Sequence, residues 1–167
     1  QIFIFRKTYA AVILIGYLIA FSSAMAQQMP RRNALRETNN EFFKTEEARR
    51  IGNQVLAFQR CTGGWPKNID MTQKMSNEEL AQVLKEKSRR NDSTIDNDAT
   101  TMQMIYLARL YRQTNDVRYR DAFRLAAEYL LNGQYENGGW PQFWPEMRGY
   151  QVHITFNDDA IVNTLEI

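Results

Sequence analysis

Apolar residues recur at helical spacing along most of this chain, and no stretch sustains an alternation of period two. Between Glu41 and Arg60, the residues Ala48, Ile51, Val55 and Phe58 follow one another at intervals of three and four, which predicts an amphipathic helix. Ser76 with Glu79 three residues on is a capping-box pattern that opens a shorter helix from Asn77 to about Lys87. Lys85 to Ser93 is charged and polar and reads as a solvated loop. A strong helix follows from about Asp98 to Arg112 (Met102, Ile105, Leu107, Leu110, Tyr111). Another runs from Val117 to Leu131, with Tyr119, Ala122, Phe123, Ala126 and Leu130 along one face, and a last one begins near Asp158. The expected fold class is all-α.

An internal repeat organises these helices. Gln59-Arg-Cys-Thr-Gly63-Gly64-Trp65-Pro66 recurs as Gln134-Tyr-Glu-Asn-Gly138-Gly139-Trp140-Pro141, each copy directly after an amphipathic helix. Glycine permits the positive φ that ends a helix, and proline forbids its continuation. A polar loop then leads to an acidic cluster at the start of another helix, Asp96-Asn97-Asp98-Ala99 in one copy and Asn157-Asp158-Asp159-Ala160 in the other. Helical pairs repeated in this way stack about a shared axis as an α/α toroid or solenoid. Equivalent helix starts would face one end of that toroid and bring the two acidic clusters together.

Composition narrows the chemistry. Among 167 residues, one cysteine (Cys61) excludes an internal disulfide and one histidine (His153) excludes zinc sites of several His or Cys ligands. The formal net charge of +2 comes from Arg6 and Lys7, without which 19 bases face 19 acids. That balance gives no electrostatic reason to expect nucleic acid or an anionic membrane as a partner. Arg6 and Lys7 precede an uncharged run from Ala10 to Phe21 and the small-residue pattern Ala24-x-Ala26. Residues 1–26 therefore read as a secretory signal peptide cleaved to leave Gln27, the run being shorter than the ~20 residues of a membrane span. A secreted or periplasmic protein, free of the membrane after cleavage, is expected. Residues 27–40 read as a linker. The missing initiator Met and an apolar pattern still running at Thr164–Ile167 make both ends read as cut.

Asp96, Asp98, Asp158 and Asp159, with Asn97 and Asn157, are hard oxygen ligands suited to calcium or magnesium. As residues at helix starts they could equally serve as caps. An EF-hand opening at Asp96 fails, because its sixth position is Thr101 and its twelfth Leu107. Two separated carboxylates also suit an inverting glycosidase, and a Cys61–His153 nucleophile pair is available in composition. Trp65 and Trp140 suit a structural role in their turns, while Trp144, beside Pro145, is the better candidate for an exposed sugar platform.

Four segments together carry a resemblance: Gly63-Gly-Trp-Pro-Lys-Asn68, Ser93-Thr-Ile-Asp-Asn-Asp-Ala-Thr-Thr101, Asn137-Gly-Gly-Trp-Pro-Gln-Phe143 and His153-Ile-Thr-Phe-Asn-Asp-Asp-Ala-Ile-Val-Asn163. In this order they resemble the polysaccharide lyase family 10 pectate lyases, over roughly Glu46 to Ile167. The resemblance implies an exported bacterial enzyme with an (α/α) toroid, here its N-terminal part (41–167) and so an incomplete ring. It implies cleavage of polygalacturonate by calcium-dependent β-elimination, with pectin oligosaccharides as partners and a monomeric state. It carries metal ligation onto Asp96 and Asp158, and substrate binding onto Asp96, Asn97, Lys67, Asn68 and His153, with Trp144 added as the sugar platform. The family's base is an arginine further downstream, and no arginine here matches it, so the chain alone is expected to be inactive. The other function open to such a chain is a non-catalytic carbohydrate-binding toroid module.

Overall fold

In the computed structural model, which describes residues 31–167, the apolar stripes become five helices among the described residues. They are α1 (Glu46–Phe58), α2 (Asn77–Lys85), α3 (Thr101–Thr114), α4 (Val117–Gly133) and α5 (Ala160–Leu165). The body from Leu35 to Ile167 is described by itself. The expected signal peptide and the start at Gln27 lie outside the described residues. No strand is present among those residues, only isolated bridges such as Trp65 with Thr94.

Helix boundaries follow local chemistry. The first helix begins at Glu46, later than the apolar pattern alone indicates, because Thr45 is extended (ψ 156°) and its hydroxyl accepts from the Ala48 amide at 3.2 Å. The capping box at Ser76 and Glu79 forms in full, yet α2 buries no residue. Asp116 caps α4 through the Arg118 amide at 3.0 Å, and Asn115 takes the left-handed conformation that closes α3. The main core lies between α1, α3 and α4, where Ile51, Val55, Met104, Tyr106, Leu107, Leu110 and Ala126 are buried. Tyr106, with no exposed surface, donates its hydroxyl to the Ala48 carbonyl at 3.0 Å.

The two Gly-Gly-Trp-Pro turns are copies of one another in bonding as well as in sequence. A helix leaves its last four carbonyls without internal partners. Trp65 donates its indole N–H to the Val55 carbonyl at 2.7 Å, and Trp140 donates to Leu130 at 2.7 Å, each the fourth residue from the end of its helix. Gln59 bonds the Gly63 carbonyl as Gln134 bonds that of Gly138, at 2.8 and 3.0 Å. The Arg60 amide donates to Gly64 as the Tyr135 amide donates to Gly139. Each tryptophan is thus a helix cap and a core residue at once.

The copies differ at their first glycine. Gly63 (φ +95°) lies against α4, where a Cβ would sit 2.2 Å from the Leu125 carbonyl oxygen, whereas nothing lies within 4 Å of a Cβ on Gly138 (φ +86°). Gly138→Ala is therefore expected to cost about 1 kcal/mol, the penalty of positive φ alone. Gly63→Ala is expected to cost about 2–3 kcal/mol, because backbone must also move. Urea denaturation of the two variants side by side measures the difference.

The segment read as a solvated loop, Lys85 to Ser93, is tied down. Glu86–Ser88 continue as a 3-10 turn, and Asp92 accepts from the buried Arg60 guanidinium through both oxygens, from Nε at 2.9 and 3.1 Å and from Nη2 at 2.7 Å. Glu86 adds a further contact to Arg60 at 3.3 Å, and Lys87 donates to the Leu56 carbonyl at 2.8 Å.

Candidate functional site

Each turn is followed by a loop that ends in an acidic 3-10 turn, Asp96–Asp98 in the first copy and Asn157–Asp159 in the second. These two turns pack against each other, and Asn163 of α5 donates to Asp98 Oδ1 at 2.8 Å. The expected meeting of the two acidic clusters therefore occurs.

The acids do not cap helices as ordinary N-terminal residues. Asn97 and Asp98 both have positive φ (53° and 59°), as do Asp158 and Asp159 (46° and 56°). Only Asn and Asp, whose short polar side chains bond locally, visit this region readily among non-glycine residues. Thr94 and Thr155 stand at equivalent places, their hydroxyls accepting from the amides of Asp96 (3.1 Å) and Asn157 (3.4 Å). In this register Asp158 corresponds to Asn97, and Asp96 corresponds to Asn157. Helix α3 consequently starts at Thr101, three residues later than expected.

Asp96 is 2% exposed. Its Oδ2 receives the Lys67 ammonium and the Gln142 amide, the latter at 2.6 Å, while Oδ1 is sealed from solvent and has no partner among the described residues. Burial pushes the Asp96 carboxyl up, yet the Lys67 ammonium and the Gln142 amide together outweigh it and hold the carboxyl below its usual range. Lys67 lies 5.4 Å from the centre of the Phe143 ring. Asn97 donates to Asn68 Oδ1 at 2.9 Å, and both are exposed. Asp98 is held by Arg36 as well as by Asn163. Beside it opens a pocket of about 190 Å³, lined by Leu35, Met102, Ile105 and Arg109 among others.

The structure thus gathers Lys67, Asn68, Asp96 and Asn97 into one bonded cluster, with Asp158 on the adjoining turn. Asp158 is exposed and makes no hydrogen bond or ion pair among the described residues. Trp144 is not the exposed platform expected of it: it is half-buried, with its ring against Gly133, and the neighbouring Phe143 is the aromatic beside Lys67. His153 is exposed, and no side-chain bond ties it to the cluster. Cys61 lies against the Ser88 and Arg89 carbonyls, so no contact supports a Cys61–His153 pair. Sequence reasoning missed Gln142 and Asn163. Gln142 was findable, because Lys67 and Gln142 are the residues that follow the two Gly-Gly-Trp-Pro turns.

Residues 59–167, more than half of the chain, match the pectic acid lyase family. The chain belongs to this family. Its fold also matches a family 10 polysaccharide lyase from Cellvibrio cellulosa, with 34% identity and a TM-score of 0.62 over 81% of this chain and 36% of that one. An aspartate-to-alanine mutant of a family 10 polysaccharide lyase from the same organism, solved in complex with trigalacturonic acid, matches at 33% identity and a TM-score of 0.62. That match covers 81% of this chain and 37% of the relative, so the chain spans little more than a third of the length of these structures. No curated protein matches the sequence. The all-α class and the family 10 lyase frame expected from the sequence are those observed.

As a member of the pectic acid lyase family, the chain can be tested for a calcium site on its own side chains. No group of three or more His, Cys, Asp or Glu residues gathers as a metal cage among the described residues. Asp158 fits as a ligand, being an accessible hard oxygen donor with no competing cation. Asp96 gives one oxygen to Lys67 and leaves its buried Oδ1 without a partner among the described residues. Asn97, exposed and next in the chain, offers an amide oxygen as well.

Proposed function

We propose that this chain carries part of the active site of a pectate lyase, which cleaves polygalacturonate by calcium-dependent β-elimination. The observation that carries the reading is the packing of the two acidic turns on each other, with an unpaired carboxylate (Asp158) on one and a cation (Lys67) held by the other. The complex of a similar lyase with trigalacturonic acid supports a uronate as ligand.

The chemistry needs such a pair. The proton at C5 of a galacturonate lies α to a carboxylate, and its removal adds charge to a group that is already negative. Stabilising that developing charge is the main task of the site. A bound calcium would supply part of that stabilisation as a Lewis acid. Asp158, exposed on its left-handed turn, would be the residue to hold it through a carboxylate oxygen. Lys67 meets the substrate's negative charge directly, and the Asn68 and Asn97 amides bond sugar hydroxyls or carboxylate oxygens nearby.

With so few protein ligands, calcium is expected to bind weakly alone and better with substrate, whose carboxylate completes the shell. Isothermal calorimetry with oligogalacturonate, in calcium and in chelator, tests this. Asp158→Ala is expected to weaken calcium-dependent binding by about tenfold or more. Unchanged affinity in the variant would remove Asp158 from the site. Absorbance of unsaturated product on polygalacturonate separates a lyase from a sugar-binding module, which would bind without producing it.

A further inference from the structure

We infer that Asp98 is a positioning residue: through Asn163 it sets where the second acidic turn, and with it Asp158, stands relative to the first. The inference rests on the calcium reading above and deepens it by naming what fixes the spacing of the two turns.

Both carboxylate oxygens of Asp98 have donors. Oδ1 accepts from the Asn163 side-chain amide at 2.8 Å, and Oδ2 accepts from the Arg36 guanidinium. Asn163 lies on α5, five residues after Asp158. Among the described residues its bond to Asp98 is the one hydrogen bond between the first acidic turn and residues 157–167. Helix α5 needs such a tie. It has six residues, of which Ala160 and Thr164 are buried while Val162 and Leu165 are exposed. Apolar packing gives it a narrow footing, and a directional bond limits how it can slide or turn.

The repeat shows that the acidic turn does not itself require these bonds. In the register that pairs Asp158 with Asn97, Asp159 takes the place of Asp98 and Asn163 that of Met102. Asp159 is exposed and makes no hydrogen bond or ion pair among the described residues, yet it holds the same left-handed conformation (φ 56° against 59°). The bonds of Asp98 therefore serve the junction between the copies and not the shape of its own turn.

Arg36 is itself held on both sides. Leu35 before it is buried, and Arg109 of α3 donates to the Glu37 carbonyl after it. Its guanidinium fixes the carboxylate from Oδ2 while Oδ1 serves Asn163. An ion pair with side chains 61% and 29% exposed contributes little to stability. Its contribution is order: a site whose parts are placed before the ligand arrives binds more tightly than one that must be ordered on binding. A cation that drew oxygens from Asn97 on one turn and Asp158 on the other would depend on that placement.

Calorimetry of calcium into the full chain, with trigalacturonate present, tests the assignment. Asp98→Ala and Asn163→Leu are each expected to weaken calcium binding by about fivefold, the scale of ordering one polar side chain upon binding. The double variant should be no weaker than either single one, because the same bond is removed. Asp98→Asn keeps an oxygen for Asn163 and should recover most of the loss. Without calcium, amide exchange at residues 157–160 should quicken in Asp98→Ala and Asn163→Leu alike. If Asp98→Ala does not fold, Asn163→Leu, which changes no charge, carries the test. Asp98→Asn as weak as Asp98→Ala would assign the effect to charge, and additive losses in the double variant would separate the two residues; either overturns the inference. A lowered urea midpoint with unchanged calcium affinity would make the tie structural only, and overturns it too. Wild-type protein that binds no calcium with trigalacturonate would defeat the calcium reading itself, and this inference with it. Calcium bound equally by wild type and both single variants would defeat the inference alone.

Discussion

Replacing Trp65 with alanine is expected to destabilise the protein by about 4 kcal/mol, close to the total stability of a marginal domain. The side chain has no exposed surface, so alanine leaves a cavity the size of an indole. The loss extends beyond packing. The indole N–H is the partner of the Val55 carbonyl, which the end of α1 leaves without a bond of its own. Trp65→Phe separates the two effects, since it keeps most of the apolar volume and removes the donor; about 1–2 kcal/mol is expected for that variant. Denaturant titration followed by circular dichroism gives both values. A loss below 1 kcal/mol for the alanine variant would mean that the turn can repack, and that Trp65 is not a keystone of the repeat.

Arg60→Ala is expected to cost about 3 kcal/mol, the scale found when one partner of a buried ion pair is removed. The guanidinium side chain is 1% exposed and spans Asp92 and Glu86. Alanine would leave those two carboxylates with only the exposed Arg89, 3.3 and 3.8 Å away, as a counter-charge. Arg60→Met retains the apolar stem and should recover part of the packing but none of the charge compensation. Urea midpoints at low and high salt report the outcome. Raised salt screens the two stranded acids, so the deficit of Arg60→Ala should shrink. A deficit that does not change with salt would assign the whole loss to packing.

The helices were legible because their apolar faces are long and periodic, and the repeat was legible because Gly-Gly-Trp-Pro is distinctive and occurs twice. Three features were not readable, each for a physical reason. Asp96, Asn97 and Asp98 look like helix caps in one dimension, since Asp and Asn serve both caps and left-handed turns; only the backbone shows that the chain reverses there. Glu86, Asp92 and Arg60 carry charge, which reads as solvent exposure, and pairing across the loop hides them. Trp144 looked accessible beside a proline, but Gly133 offers a flat place on α4 for its ring. The equivalence of Arg60 and Tyr135 was visible, though its meaning was not. Both reach into the loop that follows their own turn, one by ion pairs and the other through its hydroxyl to the Val152 carbonyl at 2.6 Å.

Thr94 is the point where the two copies meet. It bridges Trp65 on one side and Phe143 on the other, its carbonyl accepts from the Thr100 hydroxyl, and its own hydroxyl serves Gln142. One residue of the first repeat thus belongs to the hydrogen-bonded frame of both. Local opening of either turn strips partners from the other, so the pair breathes as a single cooperative unit and not as two independent loops. A ligand that closed over Lys67 would be expected to slow the amide exchange of both turns together.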